Sequence, residues 1–229
     1  EPTVAQSYVN ELLQQAWQAR GDFVYQIEDL GTSMQRAETA AAAPGTGPVI
    51  VLDHYDNTAS GGTMDTTEVL SAILEAGLQR VAVFGFYDPD VVDQMASAGV
   101  GVTVTVDLGG KLPMPALSEQ SQPIRLTGEV KLLSNGKFQA KVAMARGLTI
   151  NMGRSAVLSV GSVDIAIISR HIEPYDPECF RSLGMEPTSY DYVMLKSRIH
   201  YRVGFRDMAK EVIECAGRGV STSDYSHLT

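Results

Sequence analysis

The densest group of chemically capable side chains is Asp53-His54-Tyr55-Asp56-Asn57-Thr58-Ala59-Ser60-Gly61-Gly62-Thr63-Met64-Asp65-Thr66-Thr67. Asp53, Asp56 and Asp65 bring carboxylates, Asn57 an amide and His54 an imidazole, beside the Gly61-Gly62 pair. Glycines let backbone N–H groups approach a ligand, and a helix starting just after such a loop favours an anion. A substrate carboxylate suits that description. The same residues also have a purely structural explanation, with Asp65 capping a helix and Asp56-Asn57 building an Asx-type turn. Spacing leaves both readings open. The phosphate-loop Gly-Lys-Ser/Thr and the dinucleotide Gly-x-Gly-x-x-Gly patterns are absent.

A second group is Lys196-Ser197-Arg198-Ile199-His200-Tyr201-Arg202. Lys, Ser and His in close succession serve acid/base chemistry, anion binding, or a nucleophile with its base. No Gly-x-Ser-x-Gly elbow is present to hold a strained nucleophile. In Asp107-Leu108-Gly109-Gly110-Lys111, backbone amides and an ammonium either bind an anion or simply form a turn. The histidines are His54, His171, His200 and His227, with no His-Glu-x-x-His and no cysteine pair at zinc spacing. His54-x-Asp56 offers two ligands from one strand end, whereas a catalytic zinc takes three from protein. No metal site is expected within this chain.

The elements that position these groups follow from hydrophobic period. Val4, Tyr8, Leu12, Leu13, Ala16 and Trp17 predict an amphipathic helix over about 4–19, and an Ala-rich helix follows over about 32–43. The runs Val49-Ile50-Val51-Leu52, Val81-Ala82-Val83-Phe84 and Val102 to Val106 read as buried strands. Asp65-x-x-Glu68 and Asp88-Pro89 supply helix starts between them. That order predicts an α/β fold with a parallel βαβαβ sheet core. From 124 to 170 a β-rich antiparallel subregion is expected, opening with a hairpin at Ser134-Asn135-Gly136. Tyr192–Leu195 reads as a further strand, leading into the Lys-Ser-x-x-His group.

With 229 residues the chain can bury one core plus an insertion, and its formal net charge is −9. That charge argues against nucleic acid or an anionic membrane surface as the main partner, without excluding a local basic pocket. No apolar run approaches a membrane span, and Glu1-Pro2-Thr3-Val4 does not open a signal peptide. Cys179 and Cys215 are expected to be reduced thiols in a cytoplasmic protein. The absence of an initiator Met fits a fragment of something longer.

Taken in order, these motifs resemble the C-terminal domain of the microcystinase C family of metallopeptidases. Ala16-Trp17-Gln18-Ala19-Arg20-Gly21-Asp22-Phe23 is similar to the family's Trp-x-x-Arg-x-x-Phe. Pro48 to Asp53, Asp56-Asn57, Gly61-Gly62, Asp65-Thr66-Thr67, Asp88-Pro89, Ala98 to Gly101, Gly109-Gly110-Lys111 and Lys196-Ser197-x-x-His200 with Phe205 follow in order. The likeness covers nearly the whole chain. It implies a two-part protein whose N-terminal domain carries the zinc, its ligands and the catalytic residues, acting on linear peptides or small amides. Residues 1–47 would then be a helical lead-in to that missing domain, and 48–229 the C-terminal α/β domain. It would bind substrate and complete the active site, and be inactive alone. Family chains run past His227-Leu228 into a basic, proline-containing tail, so an end that is trimmed or disordered is expected here.

The positions carried over are Asp53, Asp56, Asn57, Gly61, Gly62, Asp65 and Thr66 as substrate-binding residues. Lys111 joins them from its strand-end loop, and Lys196, Ser197 and His200 are the catalytic candidates. Two other readings stay open: a stand-alone module binding a small anion, and a self-sufficient hydrolase using Lys196, Ser197 and His200. Homo-oligomerisation is open as well.

Overall fold

The computed structural model describes residues 2–25 and 28–229. Strand β1 (Val49–Asp53) is buried along its whole length, and its alternate side chains enter two different cores. Val49 and Val51 point to one face, Ile50 and Leu52 to the other, as the two-residue period of a strand requires. A strand covered on both faces has no polar side to show, which is why its sequence is apolar throughout.

Helix α1 (Pro2–Gln18) buries no residue, whereas α2 (Leu30–Ala42) packs Met34, Ala37 and Ala40 into the first core. Asp29 caps α2, accepting the Thr32 amide at 2.9 Å. After β1 come α3 (Glu68–Glu75), β2 (Val81–Tyr87) and α4 (Pro89–Ala98), the last capped by Asp88 with Pro89 in its first turn. The remaining elements are β3 (Thr103–Leu108), β4 (Ile124–Ser134), β5 (Lys137–Gln139), β6 (Thr149–Asn151), β7 (Ser155–Val160), β8 (Val163–Ile168), α5 (Glu178–Arg181), β9 (Tyr192–Leu195) and β10 (Glu211–Cys215).

The main sheet runs β10-β1-β9-β2-β8-β7-β4-β3. Its first five strands are parallel and the rest are joined by antiparallel pairings. The α/β class with parallel and antiparallel parts is as expected, but membership of the parallel set differs. β1 and β2 are not neighbours, since β9 inserts between them. The third expected strand, β3, lies outside the parallel set and pairs only with β4. The late strand β10, not foreseen, takes the edge beside β1.

β4 begins and ends at the same edge of the sheet. Gln122, just before it, accepts from the Thr67 hydroxyl at the α3 start, while Ser134 pairs with Ser155 beside the end of β8. The strand therefore bends along its length, with Glu129 paired to both Thr103 and Ser159 and a register slip between Val130 and Leu132. The predicted Asn135-Gly136 hairpin does not form between adjoining strands. β4 already pairs with β7, so the turn sends the chain off the sheet and β5 pairs with β6 instead. Among the described residues no helix is long and apolar enough to cross a membrane.

A Cβ at Gly128 would lie 2.4 Å from the Ser159 carbonyl oxygen, inside the β4–β7 contact. Gly128→Val should destabilise the protein by about 2–3 kcal/mol, read as a lower urea midpoint with unchanged slope. A wild-type midpoint would mean that the β4–β7 contact does not require this glycine.

Candidate functional site

Leu52 of β1 pairs with Leu195 of β9, so Asp53 and Lys196 leave the ladder side by side. The two-residue period turns both toward the first core. Lys196 Nζ donates to Asp53 Oδ2 at 2.7 Å, Asp56 Oδ2 at 2.9 Å and the Thr66 carbonyl at 2.6 Å, and sits 4.6 Å from the Phe86 ring centroid. Lys196, Asp53, Asp56 and Thr66 have no exposed surface. Burial works against the Lys196 charge, but the two carboxylates outweigh it and raise its pKa. Burial also opposes the charge on Asp56, where Lys196 and the Met64 and Thr66 amides win and lower the value. For Asp53 burial wins: its carboxyl is pushed up to about 6 despite Lys196, with Asp56 adding repulsion. Lys196 is thus held as a buried clamp between these partners, with no exposed surface.

The expected anion-binding loop is filled by its own carboxylates. Asp56 accepts the Met64 amide at 2.7 Å, the Thr66 amide at 3.0 Å and the Thr66 hydroxyl at 2.9 Å. Asp65 does not cap α3. Its Oδ2 accepts the Lys111 and Leu112 amides, each at 2.8 Å, tying the loop after β3 to the loop after β1. The start of α3 is covered instead by Ser121, whose hydroxyl accepts the Thr67 amide at 3.1 Å. Asn57 makes the Asx turn, accepting from the Ala59 amide at 3.2 Å. Gly61 turns the loop at φ 92°, and Gly62 packs so closely that a Cβ would sit 2.6 Å from the Asp56 carbonyl carbon. Lys111 is neutralised by Asp88, with Nζ at 2.8 and 3.0 Å from its two oxygens. The three strand-end loops do meet, but they hold one another and leave no open anion cradle at these residues.

Ser197 and His200 meet on Glu173, a residue the sequence reading missed. The Ser197 hydroxyl donates to Glu173 Oε1 at 2.8 Å, and His200 Nδ1 lies 2.6 Å from Oε2. Glu173 and Ser197 are buried, whereas the His200 side chain is 45 % exposed. A nucleophilic serine must hydrogen-bond its base, and here the buried serine bonds the carboxylate instead. The arrangement orients a histidine, and Ser197 bonds Glu173 and not His200, so the pair is not the serine–histidine couple that a self-sufficient hydrolase would use. Glu173 follows β8; had β8 been read as a parallel strand, its loop would have been placed at this same edge. On that loop His171 stacks on Tyr87, centroids 3.8 Å apart, with Nε2 2.9 Å from the Thr63 carbonyl. His227 lies near the C-terminal end, beside Asp224 at 3.6 Å.

Among the described residues no group of three or more His, Cys, Asp or Glu side chains is placed to share a metal ion. Asp56 is committed to Lys196 and backbone amides, so the His54-x-Asp56 pair is not free to coordinate. Among the described residues that leaves no three-donor set of the kind a catalytic zinc takes. Cys179 and Cys215 are free and buried, and burial raises both thiols, Cys215 to about 12.

Residues 51–229 match the family described as MlrC C-terminus. Microcystinase C from Sphingomonas sp. is 29 % identical over 180 residues, covering 79 % of this chain and 34 % of its own length. The chain thus spans about a third of that relative. A crystal structure of a candidate metallopeptidase from Mesorhizobium sp. BNC1 superposes with a TM-score of 0.81 at 22 % identity. That match covers 94 % of this chain and 42 % of the other, and shows a shared fold.

Replacing Lys196 with Met leaves two carboxylates buried without a cation and should cost about 3–5 kcal/mol at pH 7. A carboxyl whose folded pKa exceeds its unfolded value contributes stability when protonated, and loses it as pH rises through the folded value. Asp53 is such a group, with a folded value of about 6. The deficit of Lys196→Met should therefore shrink as pH falls from 8 to 5 in paired urea titrations. A small deficit that does not vary with pH would contradict the clamp.

Proposed function

The chain belongs to the MlrC C-terminus family, and on that footing we propose that it is the substrate-binding, active-site-completing portion of a zinc-dependent peptidase or amidohydrolase. The zinc and its ligands would lie on an N-terminal domain outside this chain, and the substrate would be a linear peptide or small amide. The family relative named microcystinase C, nearly three times the matched length, supports a partner domain of that kind. Two buried, unpaired thiols fit a cytoplasmic setting.

The observation that carries this reading is His200 on Glu173. In open α/β sheets ligands gather beyond the carboxyl ends of the parallel strands, and β9 ends just before Lys196. The charges buried there are closed on themselves, while His200 stands partly in solvent. A carboxylate only accepts, so Glu173 holds the proton on Nδ1 and leaves Nε2 as an outward acceptor. A histidine oriented in this way can accept a hydrogen bond from a substrate amide, or pair with a carboxylate once protonated. The anion-module alternative is disfavoured by the loop amides, which Asp56 and Asp65 already occupy.

The test uses the protein carrying both domains, assayed on linear peptides. The isolated chain should show no hydrolysis. His200→Ala in the two-domain protein should lower kcat/KM by about 100-fold at unchanged zinc content and melting temperature. Glu173→Gln should give a smaller loss and a shifted pH profile, because it changes how the imidazole is held. Wild-type kinetics in His200→Ala would remove this edge from the active site.

A further inference from the structure

Arg198, two residues before His200 in the chain, lines a cleft of about 810 Å³. Its size falls in the range of small-molecule sites. Its walls carry the aromatic rings of Phe23, Tyr25, Tyr55 and Tyr225 and the guanidinium groups of Arg20 and Arg198. Phe23 and Tyr225 are 74 % and 78 % exposed, so large apolar surface faces water there.

The charges in the cleft are unbalanced. Arg198 donates to the Ser221 carbonyl at 2.9 Å and the Ser223 hydroxyl at 2.6 Å, and its guanidinium lies 6.0 Å from the Tyr25 ring. Arg20 donates to the Trp17 carbonyl at 2.6 Å and sits 4.4 Å from that residue's ring. Among the described residues neither has a carboxylate partner, in a chain with 27 acidic and 18 basic side chains. Asp224, the one carboxylate of the lining, is turned to the Ser226 amide at 3.0 Å and the Ser226 hydroxyl at 2.6 Å. Against Tyr25, outside the lining itself, stacks His54, centroids 5.1 Å apart, 3 % exposed and with Nδ1 lacking a hydrogen-bond partner among the described residues. Four rings and two arginines without carboxylate partners, with a single carboxylate in the wall, are the make-up of a small-molecule site.

We propose that this cleft is a specificity subsite, binding an aromatic side chain and a nearby carboxylate of a linear peptide. The ring packs among Phe23, Tyr25 and Tyr225, and the carboxylate takes the open N–H groups of Arg198, the geometry a guanidinium fork favours. Arg198 follows Ser197 and lies two residues before His200, so one short segment serves both the cleft and that histidine. The proposal rests on the peptidase reading for its biological sense. It is measured by binding alone, so failed hydrolysis with intact binding would count against that reading only.

Titration of the chain as it stands, followed by calorimetry and by fluorescence of its single tryptophan, Trp17, tests it. The probes are N-acetyl-phenylalanine, its C-terminal amide, and the amide of N-acetyl-glutamyl-phenylalanine, which moves the carboxylate to a side chain. At least one acid should bind about tenfold or more tightly than N-acetyl-phenylalanine amide, and comparison of the two acids shows which carboxylate is read. Arg198→Gln should abolish that preference. Tyr225→Ala leaves the Arg198 hydrogen bonds in place and should weaken acid and amide alike. Equal binding of acids and amide, a preference that survives in Arg198→Gln, or no saturable binding of any probe would overturn the proposal.

Discussion

An ammonium group with no exposed surface lies at the junction of β1, β9 and the loop that returns through Thr66. Removing such a charge from water costs several kcal/mol, and the cost is met only where geometry supplies full compensation. Lys196 has that compensation in two carboxylates, a carbonyl and an aromatic face. Each of these partners must itself be held. Asp56 is therefore bound by the Met64 and Thr66 amides, and the loop that bears them is bound through Asp65 to the Lys111 segment. The carboxyl edge of the sheet is in this sense organised outward from one buried cation. The cluster carries one more acidic than basic group, and burial of that excess is what moves the Asp53 carboxyl toward neutrality.

That arrangement changes what the acidic, glycine-rich loop means. Backbone amides exposed at a strand end attract anions, and this protein satisfies the attraction with its own Asp56, Asp65 and Asp88. The result is a rigid floor whose amides are already taken. The side chains left open are at the rim, where Glu173 orients His200 and where Arg198 lines a cleft without an ion-pair partner among the described residues.

Much of the fold was legible from local pattern. The apolar runs at Val49, Val81 and Tyr192 are strands, and Asp88-Pro89 does start a helix. Strand order was not legible. β9 enters between β1 and β2 from more than a hundred residues away, and apolar runs of similar composition do not state which neighbour they take. The Asn135-Gly136 turn shows the same limit: a good turn dipeptide fixes a reversal, but pairing depends on which edges are already occupied.

The sequence by itself determined the residue types and their placement at strand ends: Asp53 and Lys196 each follow an apolar run, and Ser197 and His200 come close behind. Hydrophobic period and strand termination are local properties, carried by adjacent residues. Only the tertiary structure decided that Lys196 would be sealed against Asp53 and Asp56, and that Ser197 would bond Glu173 and not His200. It also decided that Arg198 would open onto an aromatic cleft. Those outcomes depend on burial and on partners distant in the chain. Whether a charge becomes a clamp or a binding group is set by its access to water, which no local pattern encodes.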